Sequence, residues 1–104
     1  MDGRMVPGDI IVNTLKADRN HLHSAYGVKR IGIFGSYAKG TPTEHSDIDL
    51  VMEFDKPIGL DFMKLTAYLE KKLGRKADVL TPAGINSIRN RRIKEEIQRS
   101  IVYV

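Results

Sequence analysis

The chain contains no cysteine, which excludes disulfide staples and thiolate metal sites and fits a reducing compartment. Long apolar runs are absent too. Nothing in the 104 residues approaches the roughly 20 consecutive apolar positions of a membrane span, and residues 1–7 lack a signal peptide's apolar stretch. The expectation is a soluble, cytoplasmic protein with no membrane partner. Repeats and low-complexity segments are missing as well. A length of 104 residues implies one domain, 1–104, of a size that buries about two-thirds of the unfolded chain's surface. Acidic charge is in the minority: 17 Lys and Arg against 13 Asp and Glu give a net charge of +4. That balance suits phosphate-bearing ligands without by itself showing nucleic-acid binding.

What the chain does have is concentrated between residues 28 and 54. Residues 28–34, VKRIGIF, form a β-branched apolar run of strand length that stops at Gly35. A glycine there lets the backbone approach a bulky anion, and the residues after it can open a short helix whose free N–H groups point to the same place. Ser36 adds a hydroxyl donor. About ten residues later SDIDLVMEF reads as a second strand. Its period of two sends Asp47 and Asp49 to one face and Ile48 and Leu50 to the other, with the carboxylates about 6–7 Å apart. Such spacing suits hard cations with oxygen ligands. Alone, a Gly-Ser turn is common and a D-x-D is usually a solvated edge. Together they put a polyphosphate cradle beside a metal site.

The flanking segments read as scaffold. Ile11, Leu15, Leu22 and Tyr26 recur at helical spacing across residues 9–26, with Gly27 as terminator. His21 and His23 lie two apart on that helix and do not share a face, so they read as surface residues rather than metal ligands. Gly40 ends the short helix, where Tyr37 serves as packing. Lys39 either reaches a triphosphate oxygen or is a solvated lysine. Residues 41–45 read as an exposed loop with His45 as a turn residue. Glu53 shares the aspartates' face but lies about 13 Å beyond Asp49, which makes it a rim or structural residue. A loop over 55–60 leads to a helix over Asp61–Leu73, with Asp61 as N-cap, Gly74 as terminator, and an apolar stripe of Phe62, Leu65, Leu69 and Leu73 read as core. A third strand over 75–80 holds Asp78 among Ala77, Val79 and Leu80, an odd setting for a solvated charge. Thr81 and Pro82 open one last helix that buries Ile85, Ile88, Ile93 and Ile97 and presents Arg89, Arg91, Arg92, Lys94 and Arg99 on its other side. Residues 100–104 read as an added edge strand or a partner-facing patch.

The stretch GSYAKGTPTEHSDIDL resembles the signature of the DNA polymerase β-like nucleotidyltransferase superfamily, and more narrowly the minimal nucleotidyltransferases, or MNT domains, of bacteria and archaea. GRKADVL resembles the segment that carries the third carboxylate of those enzymes. The resemblance implies an α/β fold, αβ(α)βαβα, with a small mixed sheet of three or four strands and flanking helices. It further implies ATP as nucleotide donor, two magnesium ions on Asp47, Asp49 and Asp78, and phosphate contacts from Gly35, Ser36 and Lys39. It points to a HEPN-domain ribonuclease toxin as partner, with this chain as the antitoxin that adenylylates a tyrosine on it. Two other readings stay open at this point: a non-catalytic module that sequesters its partner, and an RNA-binding module using the basic last helix. A homodimer is compatible with all three, and nucleic acid is not the favoured partner.

Overall fold

The structure, a computed structural model describing residues 7–40 and 46–104, begins with helix α1 (Pro7–Tyr26) running into strand β1 (Val28–Phe34). The helix buries Ile11, Leu15 and Leu22 and stops at Gly27, whose φ of 71° and N–H bond to the His23 carbonyl at 2.9 Å form a left-handed cap. Short helix α2 (Gly35–Lys39) follows directly and closes at Gly40, whose N–H bonds the Ser36 carbonyl. Strand β2 (Ile48–Phe54), helix α3 (Asp61–Leu73) and strand β3 (Ala77–Leu80) make a parallel crossover unit. Helices α4 (Pro82–Asn86) and α5 (Arg91–Ser100) and the two-residue strand β4 (Val102–Tyr103) complete the chain. No described helix is long and apolar enough to cross a membrane.

The sheet has four strands in the order β3-β2-β1-β4; β1 is antiparallel to both its neighbours, and β2 and β3 are parallel. Strand alternation divides its side chains between two cores. Ile33, Ile48, Leu50 and Met52 join Leu15 and Leu22 of α1 and Leu65 and Leu69 of α3 in the larger one, all essentially inaccessible to solvent. Phe34 and Val51 face the other way, onto Ile85 of α4. Truncating any of the fully buried leucines to alanine costs roughly 2–5 kcal/mol, so this two-sided burial fixes the strands firmly. The Tyr68 hydroxyl of α3 donates to Asp18 Oδ2 of α1 at 2.6 Å, and that bond pushes the phenol up to about 12.

The structure amends the sequence reading in several places. Helix α1 begins at Pro7, and β3 is confined to Ala77–Leu80 rather than 75–80. Asp61 is not the cap of α3 but its first residue: Leu60 holds the cap position and makes no side-chain cap bond. The last helix is not continuous. Thr81 caps α4 as expected, its Oγ1 accepting from the Gly84 N–H at 3.1 Å, but the chain leaves the helix after Asn86 and restarts when Asn90 Oδ1 accepts from the Ile93 N–H at 3.1 Å. That break turns Ile93 outward, 47 % exposed, instead of into the core. The terminal residues do add an edge strand, β4 on β1. The readings of residues 41–45, including His45, lie outside the described residues.

Candidate active site

Three strand starts and ends meet at one end of the sheet. Phe34, the last residue of β1, is the register partner of Asp49, and Asp49 is the register partner of Asp78 on β3. Side chains of register partners share a face of the sheet. Asp49 and Asp78 therefore stand side by side, on the face opposite the large core, immediately beside the turn that β1 makes into α2. Gly35 is that turn, with a φ of 73°, and a Cβ built on it would overlap the Asp49 carboxylate. The glycine is thus needed twice: for its left-handed backbone and for the room its missing side chain gives the acid. Ser36 is half-buried in the first turn of α2, Lys39 is exposed at its end, and Tyr37 is buried beneath it. Asp47 lies just before β2 and is exposed, as is Asp78, while Asp49 is half-buried.

The electrostatics follow from this crowding. The Asp49 carboxyl is held above its ordinary value, first because burial strips water from the anion, then by the negative charges of Asp78 and Asp47. The charges of Asp47 and Asp78 thus both reach Asp49. Among the described residues no three acidic or histidine groups close into a ready-made metal cage. The donor set is nevertheless the right kind for a hard divalent cation, carboxylate oxygens only, and the repulsion felt at Asp49 is what such a charge relieves.

Other charged groups are paired among themselves or exposed. Glu53 pairs with Arg30 at 3.3 Å, and the Arg30 guanidinium lies over the Tyr103 ring at 4.0 Å. His23 pairs with Asp55 at 2.9 Å, far down the sheet at the start of β1. Arg91 of the basic helix pairs with Glu95 at 3.3 Å, and Arg89, Arg92 and Arg99 are exposed.

A cleft of about 370 Å³ adjoins the acids, lined by all four residues of β3, by Phe62 and Thr66 of α3, and by Phe34 and Asp49. Sequence reasoning had placed Phe62 in the core stripe, and only Leu65 and Leu69 of that stripe are fully buried. The cue was its position one residue into α3, where a stripe's first member has no helical turn beyond it to cover it.

The nucleotidyltransferase domain model matches residues 13–104. The chain belongs to the nucleotidyltransferase family. A relative from Methanocaldococcus jannaschii named as a protein adenylyltransferase is 41 % identical over 97 residues, covering 90 % of this chain and 94 % of its own. The protein adenylyltransferase MntA of Thermococcus cleftensis is 36 % identical over 95 residues, covering 90 % and 92 %. Among solved structures, a minimal nucleotidyltransferase superposes with a TM-score of 0.64 at 30 % identity, over 88 % of this chain and 93 % of the other. A toxin–antitoxin structure with AMP-PNP shares the fold, with a TM-score of 0.60 at 18 % identity, over 92 % and 70 %. The four-stranded mixed sheet with flanking helices is accordingly the nucleotidyltransferase fold, and in this nucleotidyltransferase Asp49 and Asp78 are register partners beside the Gly35 turn.

Proposed function

We propose that this nucleotidyltransferase moves AMP from ATP to a hydroxyl on a partner protein, and that it does so as the antitoxin of a pair whose toxin is a HEPN-domain ribonuclease. The observation that carries the reading is the register pairing of Asp49 with Asp78 beside the Gly35 turn. Relatives named as protein adenylyltransferases support the protein acceptor, and the fold shared with a toxin–antitoxin structure supports the pairing.

In this mechanism Gly35 and Ser36 bind the β and γ phosphates through backbone N–H groups and the serine hydroxyl, with Lys39 adding charge. Asp47, Asp49 and Asp78 are the residues that would hold magnesium. When bound, magnesium neutralises the triphosphate and lowers the acceptor hydroxyl's pKa. The acceptor oxygen forms a bond to the α phosphorus as the bond to the α–β bridging oxygen breaks, pyrophosphate leaves on the Gly35 side, and the hydroxyl proton passes to solvent. Asp78, on the strand farther from Gly35, orients the incoming hydroxyl. Positioning and electrostatics carry most of the rate in phosphoryl chemistry, so Asp49→Asn lowers transfer by at least about 100-fold.

The test is co-expression with a candidate HEPN-domain protein, purification, incubation with magnesium and α-labelled ATP, and mass measurement of the partner. One added AMP, absent with Asp49→Asn, is the expected result. An unmodified partner, or equal modification by the variant, overturns the reading.

A further inference from the structure

Strand β3 is the outermost strand of the sheet, and its hydrogen-bonding parity can be read from its neighbours. The Lys76 carbonyl accepts from the Ile48 N–H at 2.9 Å, so residue 76 faces β2. The Ala77 N–H does not; it donates to Glu70 Oε2 at 3.0 Å, on the outer side. Backbone groups alternate along a strand, so Asp78 bonds inward and Val79 turns its N–H and C=O to the open edge, beyond which no described strand lies. Exposed edges are usually blunted by charge, proline, a bulge or a covering element. Here Glu70 covers one end, and the cleft next to Asp78 and Asp49 leaves the rest open along Ala77–Leu80.

We propose that this edge is the acceptor-docking surface: an extended segment of the partner protein pairs with β3 through Val79, and the residue opposite Asp78 is the one modified. The chemical step rests on the reading above; the docking does not.

Three features of the geometry converge on this assignment. Across the sheet the order is the Gly35 turn, then Asp49, then Asp78, then the open edge, so an added strand delivers its hydroxyl from the side opposite the departing pyrophosphate. Cross-strand neighbours share a face. A residue opposite Asp78 therefore points to the acids' face, while the residues on either side of it point to the other face, that of Val79, which lines the cleft together with Phe62 and Thr66. The Thr66 hydroxyl is committed to the Phe62 carbonyl at 2.9 Å, so that wall offers carbon surface and suits apolar side chains. Finally, strands lie about 4.8 Å apart, which puts the new residue's backbone roughly 10 Å from Asp49. A long hydroxyl side chain such as tyrosine spans that gap better than serine. The surface thus reads an apolar–tyrosine–apolar segment in extended form.

A capped heptapeptide with a central tyrosine between two valines, titrated into the isotope-labelled chain with AMP-PNP and magnesium present, tests this without requiring turnover. The amide signals of Val79, Phe62 and Thr66 are expected to shift saturably. Val79→Pro removes an outward N–H together with part of the valine's packing on the core, spares the inward-facing groups of the β2 ladder, and weakens peptide binding about tenfold while nucleotide affinity stays within twofold. The same peptide N-methylated on its edge-facing amides tests the unaltered chain and is expected to lose the shifts. Shifts confined elsewhere, equal binding of the N-methylated peptide, or shifts of these three signals by AMP-PNP alone overturn the proposal. Transfer measured in parallel separates the two readings: a chain that binds the peptide at β3 but does not modify any partner keeps the docking surface and loses the reaction.

Discussion

Gly35→Ala separates the two demands made on that position. An alanine at a φ of 73° costs about 1–2 kcal/mol for the left-handed backbone alone. Its Cβ also collides with the Asp49 carboxylate, but the atoms it meets belong to the end of a short side chain, with Cγ at 3.2 Å and Cβ at 3.4 Å. Rotating Asp49 relieves the collision at little cost in stability and turns the acid away from Asp78. Gly74→Ala is the control, because Gly74 has the same φ of 73°, caps α3 away from the acids, and has nothing within 4 Å of an added Cβ. Both variants are expected to lose about 1–2 kcal/mol, a fall in Tm of roughly 4–16 °C for a domain of this size. Only Gly35→Ala loses AMP transfer, by about 100-fold or more. Thermal denaturation and the labelled-ATP assay, run on both variants, read the two effects apart. Equal activity of the two variants, or a stability loss at Gly35 several times that at Gly74, refutes the reasoning.

Two further outcomes follow from the same geometry. Because the folded chain holds the Asp49 proton more tightly than the unfolded chain does, metal-free stability falls as pH rises from the ordinary carboxylate value near 3.8 through the raised folded value, and Asp49→Asn removes that decline; thermal midpoints between pH 4 and 7 in chelator report it. Asn90→Ala deletes the cap that restarts the last helix, so the chain loses about 0.5–2 kcal/mol and α5 exchanges its amides faster, while nucleotide affinity is unchanged.

Much of this was legible because strands and helices carry different periods. The alternation in SDIDLVMEF set Asp49 opposite the buried Leu50, and the glycines after residues 26, 34, 39 and 73 marked turns that all prove left-handed. The break before α5 was also written in the sequence but was read through: Ile85 and Ile88 are three apart and Ile93 and Ile97 four, yet Ile88 to Ile93 is five, which no single helix face accommodates. Asn90 at that step is a cap residue. Capping at α3 misled for a different reason. Asp61 has the right chemistry, but Gly59 bends the chain one residue early and hands the cap position to Leu60. The open edge at β3 had no local signal at all, since which strand lies outermost depends on the pairing of residues far apart in the chain.

The register of β2 on β3 shows which force decides the site's shape. Pairing Asp49 with Asp78 sets like charges on adjacent strands, an arrangement that costs about 0.2–1 kcal/mol in water-exposed sheets. A slip of one residue relieves it. The same slip turns Asp78 toward α3 and pushes Ala77, now 5 % exposed, and Val79 out of the core. Burying an unpaired carboxylate costs several kcal/mol, so the apolar side of β3 dictates the register and the repulsion persists. The unrelieved charge is then available to a bound cation. Asp78→Asn is therefore expected to raise the Tm of the metal-free chain by about 1–8 °C and to abolish the further rise expected when magnesium is added to the unaltered chain. A lowered Tm for this variant without metal shows instead that Asp78 is held by favourable contacts, and the electrostatic account of the site fails.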